Sequence, residues 1–220
     1  MSCNNLRACV TLLLLAGSAP QLVAQGTADS ALRPIAVTPT GVELTGPARP
    51  DGYVSAIGRR AIAMGSERGG FEVWTWPVKL LHGFELRFQT PLFSEPLAAR
   101  NLARTVEVTP TGPVITYTHP AFTVRQRVFA TLNEPAVVML LDVDAVRPVE
   151  ILAEFTSDLE LAWPAGVGGQ YVFWDDAQKS FILSESQRKL NALVGSPFTT
   201  SATNQPAHDV PDAPSQLRIQ

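Results

Sequence analysis

The sequence predicts an all-β protein, built as a two-sheet antiparallel β-sandwich. Three observations lead there. From Phe122 to Trp174, four or five strand-length segments follow one another with only short turns between them. In the first of these, Phe122, Val124, Val128, Ala130 and Leu132 share one face while Thr123, Arg125, Arg127 and Thr131 share the other, which is the period of a pleated strand. Elsewhere, strand-like stretches recur about every ten residues with Pro, Gly, Asn or Asp between them, the spacing of a sandwich or barrel.

Residues 1–24 differ from the rest. Arg7 precedes an apolar run from Ala8 to Gly17 that contains Leu12, Leu13, Leu14 and Leu15, and the stretch ends on small residues at Ala24. This is the pattern of a secretory signal peptide cleaved after Ala24, and it implies a secreted or periplasmic protein. Cys3 and Cys9 both lie inside it, so a processed chain has no thiol for a disulfide, a zinc site or a nucleophile. The formal charge is −3 at pH 7, and −4 without Arg7. A weakly acidic chain with no basic run is a poor partner for nucleic acid or an anionic membrane.

Residues 25–50 are rich in Thr, Pro and Gly and read as an extended leader able to add an edge strand, with candidates at Pro34–Thr38 and Gly41–Thr45. Arg49-Pro50-Asp51-Gly52 then marks a turn, with Gly52 suited to positive φ. The sandwich is expected over 51–198. Phe71, Val73 and Thr75 alternate with Glu72, Trp74 and Trp76, Pro77 interrupts, and Phe84, Leu86 and Phe88 alternate with Glu85, Arg87 and Gln89. Thr90 to Leu102 reads as loop or a short helical turn. Arg104–Thr109 and Pro113–His119 form a hairpin about Pro110-Thr111-Gly112, and Tyr171–Trp174 pairs with Ser180–Glu185. Pro164 to Gly169 is a bend, Gln187 to Val194 is helix or strand, and 199–220, rich in Pro, Thr, Ser and Asn, reads as an exposed connector.

Chemistry is less explicit. Two carboxyl groups about 5–10 Å apart would serve a glycosidase, and the acids considered are Glu67, Asp142, Asp144, Asp158, Asp175 and Asp176. Asp142 and Asp144 share a strand face, as a catalytic pair or a solvated edge. Asp175 and Asp176 sit where a hairpin tip favours Asp. His82, His119 and His208 lack ligand spacing, and no nucleophile elbow, phosphate loop or dinucleotide fingerprint is present. No metal, cofactor or catalytic residue is assigned. Trp74, Trp76, Trp163, Tyr171, Phe173 and Trp174 fall near turns beside polar residues. Aromatic faces stack on pyranose C–H surfaces while hydroxyls need polar partners, so Trp76, Trp174 and Tyr171 are candidate carbohydrate contacts, with core packing the competing role.

Three stretches carry a resemblance: GSERGGFEVWTWPVKLLHGFELRFQ, HPAFTVRQRVFATLNEPAVVMLLDVDAVRPVEILAEFTSDLELAWPAGVGGQYVFWDD, and LVGSP. Together they resemble the N-terminal region of secreted bacterial six-hairpin glycosidases related to glycogen debranching enzyme (amylo-α-1,6-glucosidase), over roughly Ala36 to Pro214. The resemblance implies a supersandwich, galactose-mutarotase-like domain that precedes an (α/α)6 barrel carrying the catalytic acids. The expectation is therefore a non-catalytic domain of a glycoside hydrolase, with 199–220 leading toward a catalytic domain outside this chain and an oligosaccharide as candidate ligand. The alternative is a free-standing periplasmic carbohydrate-binding or interaction module. A small β-sandwich enzyme using Asp142 and Asp144 or a histidine is a third reading.

Overall fold

A computed structural model describes residues 9–16, 41–91, 93–161, 170–185, 190–204 and 214–220. The chain is a sandwich of two antiparallel sheets. Its strands are β1 (Cys9–Ala16), β2 (Leu44–Pro47), β3 (Tyr53–Ile57), β4 (Ile62–Ser66), β5 (Phe71–Thr75), β6 (Val78–Gln89), β7 (Leu97–Ala98), β8 (Ala103–Thr109) and β9 (Gly112–His119). There follow β10 (Phe122–Ala130), β11 (Ala136–Ala145), β12 (Glu150–Leu161), β13 (Gln170–Asp175), β14 (Ser180–Glu185), β15 (Asn191–Gly195), β16 (Thr199–Asn204) and β17 (Ser215–Ile219). A 3-10 turn, Ala99–Asn101, interrupts the loop before β8.

One sheet has nine strands in the order β13-β14-β15-β1-β11-β10-β9-β8-β2. The other has eight, in the order β16-β17-β12-β6-β5-β4-β3 with β7 added on β6. Alternation places the core as expected: Phe71, Val73, Phe84, Leu86 and Phe88 from one sheet meet Tyr117, Phe122, Val124 and Val128 from the other. Phe88 lies 5.6 Å from Tyr117 and 5.3 Å from Phe122, ring centre to ring centre, closing the middle of the sandwich with tilted and edge-on contacts.

The expected hairpins β8–β9 and β13–β14 form, in registers Val106↔Ile115 and Trp174↔Phe181. Three features differ from expectation, and one open alternative is decided. Leu132 is exposed beyond the end of β10, because the turn before β11 begins there. Of the stretch Gln187 to Val194, left open between helix and strand, the described part is strand from Asn191, with Ala192 and Val194 facing the core. Residues 199–220 are not wholly a connector: β16 and β17 pair with each other and β17 pairs with β12, with Leu217 and Ile219 buried. Two inward side chains among polar neighbours suffice once β12 supplies the ladder. Finally, Cys9–Ala16, within the expected leader, runs between β11 and β15. The bend at Pro164 to Gly169 and the candidate strand Pro34–Thr38 lie outside the described residues.

Two glycines are fixed by close approach. A Cβ on Gly52 would sit 2.2 Å from Glu67 Cδ, so this turn needs glycine for space and not, as expected, for positive φ. Gly69 has φ +98° and a Cβ there would fall 1.9 Å from the Tyr117 hydroxyl oxygen. That hydroxyl is buried and donates to Gln126 Oε1, whose amide in turn reaches Met139 Sδ at 3.5 Å. Burial, with Glu85 adding to it, drives the ionisation of Tyr117 far above the usual phenol range.

Tyr117→Phe removes the donor and leaves Gln126 Oε1 unpaired in the core, at a cost of about 1–3 kcal/mol by urea denaturation at neutral pH. The folded pKa lies above the unfolded value of about 10, so the Tyr117 contribution is complete below pH ~10 and is lost as pH rises beyond it. Wild-type stability should therefore fall there by up to about 1.4 kcal/mol per pH unit, and the Phe variant should lack that slope.

Candidate functional site

The polar surface with the densest chemistry is the outer face of the eight-stranded sheet, at the end where β5 turns into β6. Strict alternation from Lys79 would send His82 inward. A bulge intervenes: Leu80 and Leu81 are both buried, and the register of β6 shifts against both β5 and β12. Lys79 and His82 therefore emerge on the same outer face, beside Asp158 of β12. Bulges re-aim side chains in this way.

Asp158 Oδ2 lies 2.9 Å from Lys79 Nζ and 3.0 Å from His82 Nδ1, with its own side chain only 13% exposed. Glu72 on β5 lies 3.6 Å from Lys79 Nζ and accepts a 3.1 Å hydrogen bond from the Trp74 indole nitrogen. Lys79 Nζ also sits 5.6 Å from the Trp74 ring centre, a cation–π contact. Desolvation pulls the Lys79 ammonium down, but hydrogen bonding and charge from Asp158 and then Glu72 outweigh it, and its pKa ends above the ordinary lysine value. The group stays charged and donates. Trp76 lies in the turn that joins β5 to β6, before the cis Trp76-Pro77 bond, and is 80% exposed.

The three aromatic candidates do not form one site. Trp76 crowns the β5–β6 turn. Trp174 faces inward, 5.2 Å from Phe181 across the β13–β14 pair, and packs on the core. Tyr171, 55% exposed, and Phe173, 50% exposed, occupy the opposite face of β13 from Val172 and Trp174, which puts them on the outer side of the nine-stranded sheet. Gln170 ties the start of β13 to β12, its amide donating to Ser157 O at 2.9 Å and its carbonyl accepting from Leu159 N at 3.2 Å.

The other candidate acids have structural partners or face solvent. Glu67 is buried in the β4–β5 turn, taking 2.7 and 2.8 Å bonds from Arg49 N and Arg49 Nη2. Those bonds, first the guanidinium and then the backbone amide, hold its carboxyl below the usual range. Asp142 and Asp144 are exposed on β11, opposite Arg125 and Thr123 of β10. Asp175 closes the β13–β14 turn by accepting from Ala177 N at 2.9 Å and Gln178 N at 3.2 Å, while Asp176 pairs with Lys179 at 2.7 Å. His119 accepts from Ala121 N and stacks on Phe122. His208 and Trp163 lie outside the described residues. Among the described residues, no three His, Cys, Asp or Glu side chains are placed to hold a metal, and no helix is long and apolar enough to cross a membrane.

A second concavity lies at the other end of β6, roughly 35 Å away at about 3.3 Å per residue. It is an open groove of about 710 Å3 where β11 crosses to β12, lined by Thr90, Val143, Val146, Val149, Ile151 and Ile219 among others. Its nearest carboxylate, Glu150, is taken by Arg218 and Gln220. The groove offers apolar volume, and the hairpin end offers convergent polar groups beside an exposed ring.

The sequence matches no protein-family model and no curated protein.

Trp174→Ala is expected to cost on the order of 2–4 kcal/mol in urea denaturation, since it empties an aromatic site against Phe181. Trp76→Ala should stay within about 0.5 kcal/mol of wild type, as a surface substitution.

Proposed function

We propose that the chain is a β-sandwich domain of a carbohydrate-processing protein and that it contacts sugar at the β5–β6 end of the eight-stranded sheet. The observation that carries this reading is Trp76, 80% exposed in the β5–β6 turn, at the same end of the hairpin where Trp74 pairs with Lys79 and Lys79 reaches Glu72 and Asp158. A pyranose ring stacks its C–H face on such an indole, and its hydroxyls then take a hydrogen bond from the Lys79 ammonium and give one to Asp158 or Glu72. These polar groups are already held by one another, so little ordering is needed when a ligand arrives.

The resemblance to the N-terminal region of six-hairpin glycosidases supports the same substrate class. In that reading the domain belongs to a secreted or periplasmic glycoside hydrolase, and catalysis falls to an (α/α)6 partner domain. The sandwich supplies a rigid wall and a sugar contact, and no residue of it is assigned a catalytic part.

The test is calorimetric titration of the full chain with malto- and isomalto-oligosaccharides. Saturable binding is expected, weakened about tenfold, or about 1.4 kcal/mol, in Trp76→Ala. No binding across the panel would sink the carbohydrate reading. Binding that Trp76→Ala leaves unchanged would move the contact elsewhere on the domain.

A further inference from the structure

The nine-stranded sheet is continuous through a single segment. β15 joins the rest of its sheet through β1, which pairs with β11 at seven positions, Cys9↔Asp142 to Leu15↔Ala136, and with β15 at four, Leu13↔Gly195 to Ala16↔Ala192. Both pairings are antiparallel, so β11 and β15 run parallel to each other with one strand between them. Without that strand they stand about 9–10 Å apart, twice the spacing at which strands hydrogen-bond.

The β13–β15 unit cannot simply slide across to close such a gap. It is tied to the other sheet: Asn204 Nδ2 donates to Val172 O at 3.0 Å, and Phe181 packs edge-on against Phe155 with ring centres 5.8 Å apart. A shift of one strand spacing, about 4.8 Å, would break both contacts. The floor of the slot is also demanding. Ala136 to Leu141 of β11 are buried on both faces, and the segment seated beside them reads VTLLLL from Val10 to Leu15, without a charge. Strands buried on both faces take continuous apolar runs.

The same segment is the hydrophobic heart of the expected signal peptide. We propose that the slot between β11 and β15 is a strand-acceptor site, and that once the leader is removed it is completed by an extended, uncharged, apolar segment of about seven residues donated by another polypeptide. The incoming strand runs antiparallel to β11. Recognition is by backbone hydrogen bonds along two exposed edges, the β-augmentation mode, with both edges used at once. In the unprocessed chain Cys9–Ala16 occupies the slot and shows the length, direction and composition that fit. The proposal rests on the leader reading for the identity of the donor and is independent of carbohydrate binding.

Leu13 is the residue to test, because it pairs on both sides, with Val138 and with Gly195. A proline there removes a ladder donor and clashes with a central strand. In full-chain Leu13→Pro, amide exchange at Val137–Leu141 and Leu193–Gly195 is expected to accelerate at least tenfold. A synthetic peptide of residues 8–17, with a C-terminal lysine tag for solubility, should restore protection in trans, and the same peptide carrying Leu13→Pro should not. Protection that the substitution leaves unchanged would overturn the proposal, as would protection lost and not restored by the wild-type peptide. Global unfolding of the variant is covered by the same arm, since an acceptor slot predicts rescue and a mere folding defect does not.

Discussion

The pairing of β6 with β12 is the constraint on which the rest of the molecule depends. Phe84, Phe88 and Phe155 are essentially solvent-free, and each such side chain contributes roughly 1.5–3 kcal/mol by leaving water. Slipping the register by one residue would turn all of them to the outside, so the core holds the register firmly. The polar groups on the outer face inherit that alignment. Glu150 meets Arg218, Glu154 meets Gln216 at 2.7 Å, and Asp158 meets Lys79 and His82. Arg87 Nε also lies 3.0 Å from Glu154, without the alignment of a hydrogen bond. Exposed ion pairs are worth about 0–1 kcal/mol each and could not set a register against the core. The ladder of charges is a consequence of packing, and the candidate site is the end of that ladder where bulges break the alternation.

Carboxylates in this fold divide by what surrounds them. Glu67 and Asp175 organise turns, through Arg49 and through the amides of Ala177 and Gln178. Asp142 and Asp144 face solvent on β11. Asp158 alone among the acids first considered sits mostly buried between two basic side chains and beside an aromatic ring system. Enclosure by donors on a rigid pair of strands makes it a fixed acceptor, which suits hydroxyl recognition better than proton transfer.

The hairpins were legible because turn residues and period-two alternation agree there. Thr109 and Gly112 close β8–β9 through a 2.8 Å bond from the Thr109 hydroxyl to Gly112 O, just where the sequence places a turn. The choice at Trp76 between sugar contact and core packing was not decided by the sequence; Trp76 is 80% exposed, next to a proline that stops the strand. The grouping of Lys79, His82 and Asp158 was not legible. Asp158 is 76 residues from His82 in the chain, and the bulge that turns both basic residues outward is marked locally only by two consecutive leucines and by Gly83, whose φ is +62°. The inward role of Trp174 was hidden too, because alternation in β13 assigns faces without saying which one the core takes. The closing strands are not legible in the sequence because β16 and β17 carry few apolar residues of their own, and β17 takes its ladder from β12 and passes it on to β16.

Residues 9–16 show why an apolar run without alternation is ambiguous in principle. A leader core and a strand buried on both faces ask the same of a sequence: consecutive apolar side chains and no charge. β11, whose AVVMLL is buried throughout, makes the point from the other side, since nothing but its flanking turns distinguishes that run from a helical or leader segment. A strand of this kind can be satisfied only by neighbours of the same character, for a charged or alternating partner would bring polar groups into a region that water cannot reach. The composition of β11 therefore restricts what lies beside it more tightly than any specific side-chain contact could, and the backbone geometry at β15 restricts its direction. Chain direction, length and apolarity of the strand seated between them are thereby set by its two neighbours, β11 and β15.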